Sequence, residues 1–136
     1  MVEMQHIILG DSHADARGVL RFCNDFDMST VKRFYTIANS EGQPVRGWIG
    51  HRRETKWFFP LKGTTEIVVE PMEDLNAEAQ RRGEAERFVL KAEEPKVLEV
   101  PPGNWFYIEQ HDGAEVMVFS DCKVGEFEND DFRRPL

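Results

Sequence analysis

Short runs of alternating apolar and polar residues, separated by turn-forming residues, recur along most of this 136-residue chain. The run at residues 31–37 (VKRFYTI) places Arg33, Tyr35 and Ile37 on one face of a strand, because side chains alternate between the two faces of a β-strand. Many short strands with turns between them predict an all-β sandwich or barrel. Further strands are predicted at 45–51, 57–61, 66–69, 87–90, 97–100, 105–108 and 115–120.

The segments between these runs carry turn and loop signals. Residues 62–64 (KGT) are typical of a β-hairpin connection, and residues 101–104 (PPGN) predict a tight turn. Pro60 has no N–H to donate, so we expect it at a sheet edge or an irregularity. Residues 73–87 favour helix but are polar nearly all round and include Gly83, so we predict a surface excursion with a turn or two of helix at most.

Composition indicates one globular domain. Hydrophobic residues make up 40% of the chain, and no apolar run approaches the ~20 residues that span a bilayer. The first residues resemble no signal peptide, and the two cysteines, Cys23 and Cys122, are too isolated for a disulfide framework. We therefore expect a single cytoplasmic domain with reduced thiols, consisting of a barrel at about residues 10–122 and an acidic C-terminal tail at 123–136.

The charge distribution constrains the partners. The formal net charge is −8, so the chain lacks the broad basic surface that nucleic-acid binding requires. The cations are concentrated in the first half, where a local cluster would suit one anionic small molecule. The alternative is that these cations are ordinary solvated side chains. The cations in question are Lys32, Arg33, Arg46, Arg52, Arg53 and Lys56.

Five motifs together resemble one enzyme family, the nucleotide-sugar 3,4-ketoisomerases. These form the WxcM-like branch of the cupin superfamily and are related to the dTDP-sugar 3,5-epimerases. The resemblance extends from about Gly10 to Ser120. It implies a cupin-type jelly-roll barrel (double-stranded β-helix), a homodimer, and a keto-sugar bound through its diphosphate at the barrel mouth. The motifs are Arg17-Gly18 with Leu20, Lys32-Arg33-Phe34-Tyr35, Arg46-Gly47-Trp48, Gly63, and Pro102-Gly103-Asn104-Trp105.

The chain departs from this family at two histidine positions. The family carries a His-x-His pair after its Arg-Gly-aromatic motif, and here the pair reads Ile49 and His51. A further histidine usually follows the tryptophan of the late turn, whereas Phe106 follows Trp105 here. Two imidazole positions have thus become apolar together, which indicates a repurposed pocket.

The remaining residues can be assigned roles in ketone isomerisation. Such a reaction needs a base that removes a proton beside the ketone and donors that stabilise an enediolate-like intermediate. His51 is the candidate base and Tyr35 the candidate relay or acid. Arg17, Arg33 and Arg46 would hold the diphosphate or polarise the ketone. Trp105 would stack on a base or sugar face. Each of these residues also has a purely structural interpretation.

The structural alternatives are specific. His51 would be a hydrogen-bonded strand residue, Tyr35 a core residue, Arg17 a turn cation paired with Asp15, and Trp105 part of the barrel packing.

No metal or other cofactor is predicted. Many cupins bind a metal with three histidines and a glutamate, but this chain offers only His51 and perhaps Glu54, with Ile49 and Phe106 at two ligand positions. Two ligands from one segment do not complete a first coordination shell.

Two functions remain open. The first is a cofactor-free ketoisomerase or epimerase acting on a dTDP- or UDP-linked 4-keto-6-deoxy sugar, for surface polysaccharide biosynthesis. The second is a non-catalytic cupin that binds a sugar nucleotide as a regulator or accessory protein. The retained residues favour the first, and the two lost imidazoles favour the second.

Overall fold

The computed structural model describes residues 6–72 and 85–136. The predicted surface excursion therefore lies, except for its last residues, outside the described part of the chain. Within that part the chain forms strands and no α-helix, so no helix there could cross a membrane. The strands are His6–Leu9 (β1), Asp11–Asp15 (β2), Gly18–Phe22 (β3), Arg33–Ile37 (β4), Val45–His51 (β5), Lys56–Lys62 (β6), Thr64–Pro71 (β7), Glu86–Lys91 (β8), Lys96–Val100 (β9), Asn104–Gln110 (β10), Glu115–Ser120 (β11) and Phe132–Arg133 (β12).

The strands form two five-stranded antiparallel sheets and one separate hairpin. The first sheet has the order β1-β9-β6-β11-β4, and the second has the order β12-β5-β10-β7-β8. Strands β2 and β3 pair only with each other among the described residues. The architecture confirms the all-β prediction, and every strand predicted from the alternation is present.

The core lies between the two sheets. Phe58 of the first sheet meets Phe106 of the second edge to face, with ring centroids 5.5 Å apart. Alternation along β10 and β11 buries every second residue, as expected for strands with one face toward a core. Burying such side chains stabilises the fold by about 1.5–3 kcal/mol each. The fully buried set includes Ile67, Val69, Leu90, Leu98, Ile108, Val116 and Val118.

The hairpin predicted at residues 62–64 is wrong. Strand β6 belongs to the first sheet and β7 to the second, so the chain changes sheets at Gly63 and the two strands do not pair. Gly63 has φ 67° there, a left-handed conformation that glycine adopts without steric cost. The turn composition was recognised correctly, but a sheet-to-sheet corner and a hairpin use the same residues.

The prediction for Pro60 is confirmed. It lies where the pairing of β6 with β11 shifts register between Glu115 and Val116. Strand β9 pairs with β6 only at Lys56–Phe58, so no hydrogen bond to β9 requires a backbone N–H at Pro60. The tight turn predicted at residues 101–104 also occurs, with Gly103 at φ 88°.

Candidate active site

A cavity of about 340 Å³ lies between the two sheets. Its polar lining comes from Arg33 and Tyr35 on β4, Arg46 and His51 on β5, and Lys56 on β6. Four of the six residues assigned a role from the sequence therefore share one cavity.

His51 lines this cavity and has one unpartnered ring nitrogen. Its side chain is 5% exposed, and Nδ1 donates a hydrogen bond to the backbone oxygen of Asp130 across 2.8 Å. Because a carbonyl only accepts, Nδ1 of the neutral ring carries the hydrogen and Nε2 keeps its lone pair. Nε2 is buried and has no hydrogen-bonding partner within residues 6–72 and 85–136. The neutral ring therefore has one nitrogen that can accept a proton.

Three carboxylates lie near His51 Nδ1. Asp131 Oδ1 is 3.4 Å, Glu54 Oε1 3.6 Å and Asp130 Oδ2 4.0 Å from this nitrogen. Negative charge at this position stabilises the imidazolium that forms when Nε2 accepts a proton.

Tyr35 and Lys56 form a polar pair on the first sheet. Lys56 Nζ donates to the Tyr35 hydroxyl oxygen across 2.6 Å and lies 5.0 Å from the centre of the ring. The guanidinium carbon of Arg33 lies 5.1 Å from the centre of the same ring. Lys56 is only 5% exposed, which is rare for a lysine unless it is paired, and it pairs with Glu54 at 3.0 Å. Lys56 and Arg33 place two cations on one wall of the cavity.

The two positions at which the family that the sequence resembles carries histidine, Ile49 and Phe106, are neighbours in the structure. Phe106 on β10 and Ile49 on β5 are directly opposite each other in the antiparallel pairing. Both line the cavity and both pack against the hydrophobic core. Cross-strand partners of this kind contact each other closely, so the substitutions form one continuous apolar patch.

A bulge in β5 turns Arg46 toward the cavity. The pairing of β10 with β5 matches Phe106 with Ile49 but Ile108 with Arg46, so β5 contains one extra residue between them. An extra residue changes which face a side chain occupies. Arg46 therefore joins Ile49 on the cavity side, where simple alternation would place it outside. Its Nε also donates to Asn39 Oδ1 at 3.3 Å.

The C-terminal tail covers one edge of the second sheet. Its residues Phe132 and Arg133 form β12 against Gly50 and Ile49 of β5. Asp131 and Arg133 line the cavity as a result.

Further contacts fasten the tail to the barrel. The Asp130 carboxylate accepts hydrogen bonds from the backbone N–H groups of Arg52, Arg53 and Glu54 at 2.7–3.1 Å. The Arg134 guanidinium lies 4.1 Å from the Trp48 ring centre.

Two residues assigned to binding lie elsewhere in this chain. Arg17 is on the exposed β2–β3 turn and pairs with Asp15 at 2.6 Å, and its guanidinium lowers the pKa of the Asp15 carboxyl. Trp105 points away from the cavity on β10, where it packs on Gly50 and lies 5.0 Å from the Arg134 guanidinium. Their roles in binding stay predictions.

One cluster has the residue types of a metal site. Ligand atoms of His51, Glu54 and Asp130 all lie within 4.8 Å of one another and are buried. Each is already engaged, because His51 Nδ1 donates to a carbonyl, Asp130 accepts three backbone N–H groups, and Glu54 accepts from Lys56 at 3.0 Å. A cation would have to displace these bonds and lie beside the lysine, so the cluster does not fit a metal.

Sequence reasoning did not assign roles to Lys56, Asp131 and Arg133. Lys56 carried a usable signal, since it shares the inward register of β6 with Phe58 and Pro60, and an inward lysine in a barrel strand requires a charged partner. The tail residues carried no periodic signal, because a two-residue strand is too short to show alternation.

Solved structures with the same fold come from sugar-nucleotide enzymes. The chain matches the sugar 3,4-ketoisomerase QdtA from Thermoanaerobacterium thermosaccharolyticum, in complex with TDP, at 20% identity and TM-score 0.74, covering 98% of this chain and 90% of that one. It matches the TDP-quinovose 3,4-ketoisomerase WlaRB from Campylobacter jejuni at 17% identity and TM-score 0.71, covering 98% and 95%. It matches the rmlC epimerase of Mycobacterium tuberculosis at 17% identity and TM-score 0.74, covering 97% and 69%.

These likenesses establish the fold. No protein-family model matches the chain, and a search among curated proteins found no match. The structural neighbours are the ketoisomerases and epimerases that the sequence motifs resemble, so the predicted cupin-type jelly-roll barrel is confirmed.

Proposed function

We propose that this protein is a nucleotide-sugar ketoisomerase or epimerase acting on a dTDP- or UDP-linked 4-keto-6-deoxy sugar, in the biosynthesis of a surface polysaccharide. The observation that carries the proposal is the orientation of His51, whose unprotonated Nε2 is buried against a cavity lined by Tyr35 and Lys56. The two free cysteines, Cys23 and Cys122, fit a cytoplasmic location, where thiols stay reduced.

Proton removal is the first chemical step. His51 Nε2 takes a proton from the carbon beside the ketone, and the C–H electron pair becomes the new C=C bond of an enediolate while the carbonyl π electrons move to oxygen. A neutral imidazole suits this role because its ordinary pKa is close to neutral pH. The carboxylates of Asp131 and Glu54 stabilise the positive charge that the ring gains.

The first-sheet wall then stabilises the intermediate. The ammonium of Lys56 and the guanidinium of Arg33 face the cavity beside Tyr35, and fixed cations of this kind stabilise charge that develops on oxygen. Tyr35 donates its hydroxyl hydrogen to the enediolate oxygen. For isomerisation, the proton on His51 is delivered to the neighbouring carbon, and the hydroxyl hydrogen of the original carbon passes to Tyr35 as that oxygen becomes the new carbonyl. For epimerisation, the original carbon must receive a proton on its opposite face, from Tyr35 in place of His51, because return from His51 to the same face would restore the substrate. His51 and Tyr35 then recover their starting protonation by exchange with water.

Arginines account for binding of the nucleotide. Arg46 and Arg133 line the cavity and are more exposed than His51, so they can reach a diphosphate at the entrance with paired N–H donors. One structure of QdtA was solved with TDP, and another structure of QdtA was solved with TDP-4-keto-6-deoxyglucose. These ligands define the probes to use first.

Deuterium exchange tests this function directly. The protein is incubated in D₂O with dTDP-4-keto-6-deoxyglucose, and separately with the UDP-linked ketosugar, and the sugar ring is followed by NMR. We expect deuterium to enter beside the ketone, together with an isomerised or epimerised product. Binding of either compound without exchange would instead support the non-catalytic cupin, which the apolar patch of Ile49 and Phe106 favours.

We also propose that the working form is a homodimer. The β2–β3 hairpin pairs with no other described strand, its residues are exposed except Phe22, and Val19 and Leu20 are each 63% exposed. A two-stranded hairpin is marginally stable alone, so packing on a second copy accounts for it. The same packing would bring Arg17 near another subunit's surface.

The dimer is tested by sedimentation. We expect the wild-type mass to be twice that of one chain and Leu20→Asp to shift it toward the monomer. A monomeric wild type would refute the dimer without affecting the chemistry assigned to His51.

A further inference from the structure

Glu54 is a charged residue that lies behind the cavity wall. It occupies the turn between β5 and β6, is 5% exposed, and does not line the cavity. A residue in this position does not contact a ligand. It can influence one only through the side chains that it holds.

The Glu54 carboxylate links three of the polar groups that line the cavity. Its Oε2 lies 3.0 Å from Lys56 Nζ and 3.4 Å from an Arg33 nitrogen, and it also accepts a hydrogen bond from the Ser120 hydroxyl. Its Oε1 lies 3.6 Å from His51 Nδ1. The only negative charge in direct contact with Lys56 among the described residues is this one.

Lys56, which pairs with Glu54, also determines which way the Tyr35 hydroxyl points. Lys56 Nζ carries only donors, so in its 2.6 Å contact with Tyr35 the phenolic oxygen must accept. The Tyr35 hydrogen is then directed away from Lys56, and Tyr35 lines the cavity. With Lys56 in its present position, the Tyr35 oxygen is occupied as an acceptor and its hydrogen is left for donation to a ligand.

We propose that Glu54 is a positioning residue that anchors Lys56 and Arg33, and through Lys56 orients the Tyr35 hydroxyl toward the ligand. The catalytic consequence rests on the proposed function, whereas the anchoring does not. The anchor is itself fixed, because Glu54 N donates to Asp130 Oδ2 at 3.0 Å. Removing one partner of a buried ion pair leaves the other uncompensated, so Lys56 must move or lose its proton when Glu54 is neutralised.

Amine labelling tests the anchoring without any substrate. Folded protein is treated with an acetylating reagent, and the rate at Lys56 is measured by peptide mass spectrometry. Loss of a charge-assisted hydrogen bond should raise this rate about 10-fold or more in Glu54→Gln. Glu66→Gln, which removes a carboxylate paired with Arg87 on the outer face, should leave it unchanged.

Two further measurements separate anchoring from unfolding. The buried thiol of Cys122 should remain unreactive in the same sample, which shows that the barrel has not opened. Ser120→Ala keeps the charge of Glu54 and removes the hydrogen bond from the Ser120 hydroxyl to it, together with the bond that this oxygen accepts from the Cys122 N–H at 3.0 Å. It should therefore accelerate labelling by a smaller factor, and it serves if Glu54→Gln does not fold. Unchanged labelling of Lys56 in the folded variant would overturn the proposal.

A double-mutant cycle tests the catalytic consequence. We expect Glu54→Gln to lower kcat about 10- to 100-fold with KM nearly unchanged, and the loss in Glu54→Gln combined with Lys56→Met to be clearly smaller than the product of the two single losses, because after Lys56 is removed Glu54 still acts only through its other contacts. Additive losses would show that Glu54 acts independently of Lys56 and would refute the positioning role. If the wild type shows no exchange with either ketosugar, the proposed function fails, and labelling still decides whether Glu54 anchors Lys56.

Discussion

The two walls of the cavity differ sharply in chemistry although both are antiparallel sheet. The first-sheet wall presents Arg33, Tyr35 and Lys56, whereas the second-sheet wall presents the apolar pair Ile49 and Phe106, with His51 at the end of β5. A sugar between them would place its oxygens toward the first sheet and its apolar edge toward Ile49 and Phe106, while its diphosphate would reach Arg46 and Arg133 at the entrance. Under the proposed function, one base on the second wall would serve chemistry whose charge is stabilised by the first wall.

Removing the single base should have the largest effect on this arrangement. We expect His51→Ala to lower the exchange rate by about 10²- to 10⁴-fold, the usual contribution of a positioned general base. Affinity for dTDP, measured by calorimetry, should change little because the arginines proposed to bind the diphosphate are untouched. Full activity in His51→Ala would show that the base lies on the first-sheet wall and would overturn the assignment.

Removing the donor of the opposite wall should have a smaller effect. Tyr35→Phe keeps the ring beneath Arg33 and Lys56 but deletes the hydroxyl, and we expect the exchange rate to fall about 10- to 100-fold, the value of one hydrogen bond to a charged group. The rate of deuterium incorporation gives the measurement, with Tyr107→Phe as the matched control because its hydroxyl contacts Arg87 on the outer face. Equal rates in the two variants would assign Tyr35 to packing alone.

Restoring the lost imidazole tests the apolar wall. Ile49→His places a polar ring opposite Phe106, which is 4% exposed, and burying a polar group without a partner costs about 1–3 kcal/mol. We expect the free energy of unfolding in urea to fall by that amount. A variant that is as stable as the wild type would show that the patch tolerates polarity and that its apolar character is not required for stability.

The strands on both walls were predictable, while the contacts that complete the site were not. Alternation identified β4 and β5, and therefore the face shared by Arg33 and Tyr35, because each strand is long enough to show period two. Arg46 reached the cavity through a bulge, which shifts one residue and leaves no mark in the pattern. Lys56 and the tail depended on partners distant in sequence, and no local pattern encodes the pairing of Asp130 with residues 52–54.

The smallest expected effect is on the free energy of unfolding and concerns how the start of the tail is held to the barrel. Glu126 accepts a hydrogen bond from the backbone N–H of Lys123 and pairs with Lys32 at 3.2 Å, and the backbone bond and then the lysine lower its pKa from the usual 4.5. A carboxyl whose pKa is lower in the folded state stabilises that state above the unfolded value, and this stabilisation is lost as pH falls through the folded value. Glu126→Gln should therefore be slightly less stable than the wild type in urea at neutral pH, and the difference should shrink as pH falls below the usual 4.5 and through the lowered pKa of Glu126. Glu128→Gln, a neighbouring exposed carboxylate, supplies the control. A pH-independent difference for Glu126→Gln would mean that its charge does not hold the tail, which would then be fastened by the β12 pairing and the contacts of Asp130 and Arg134.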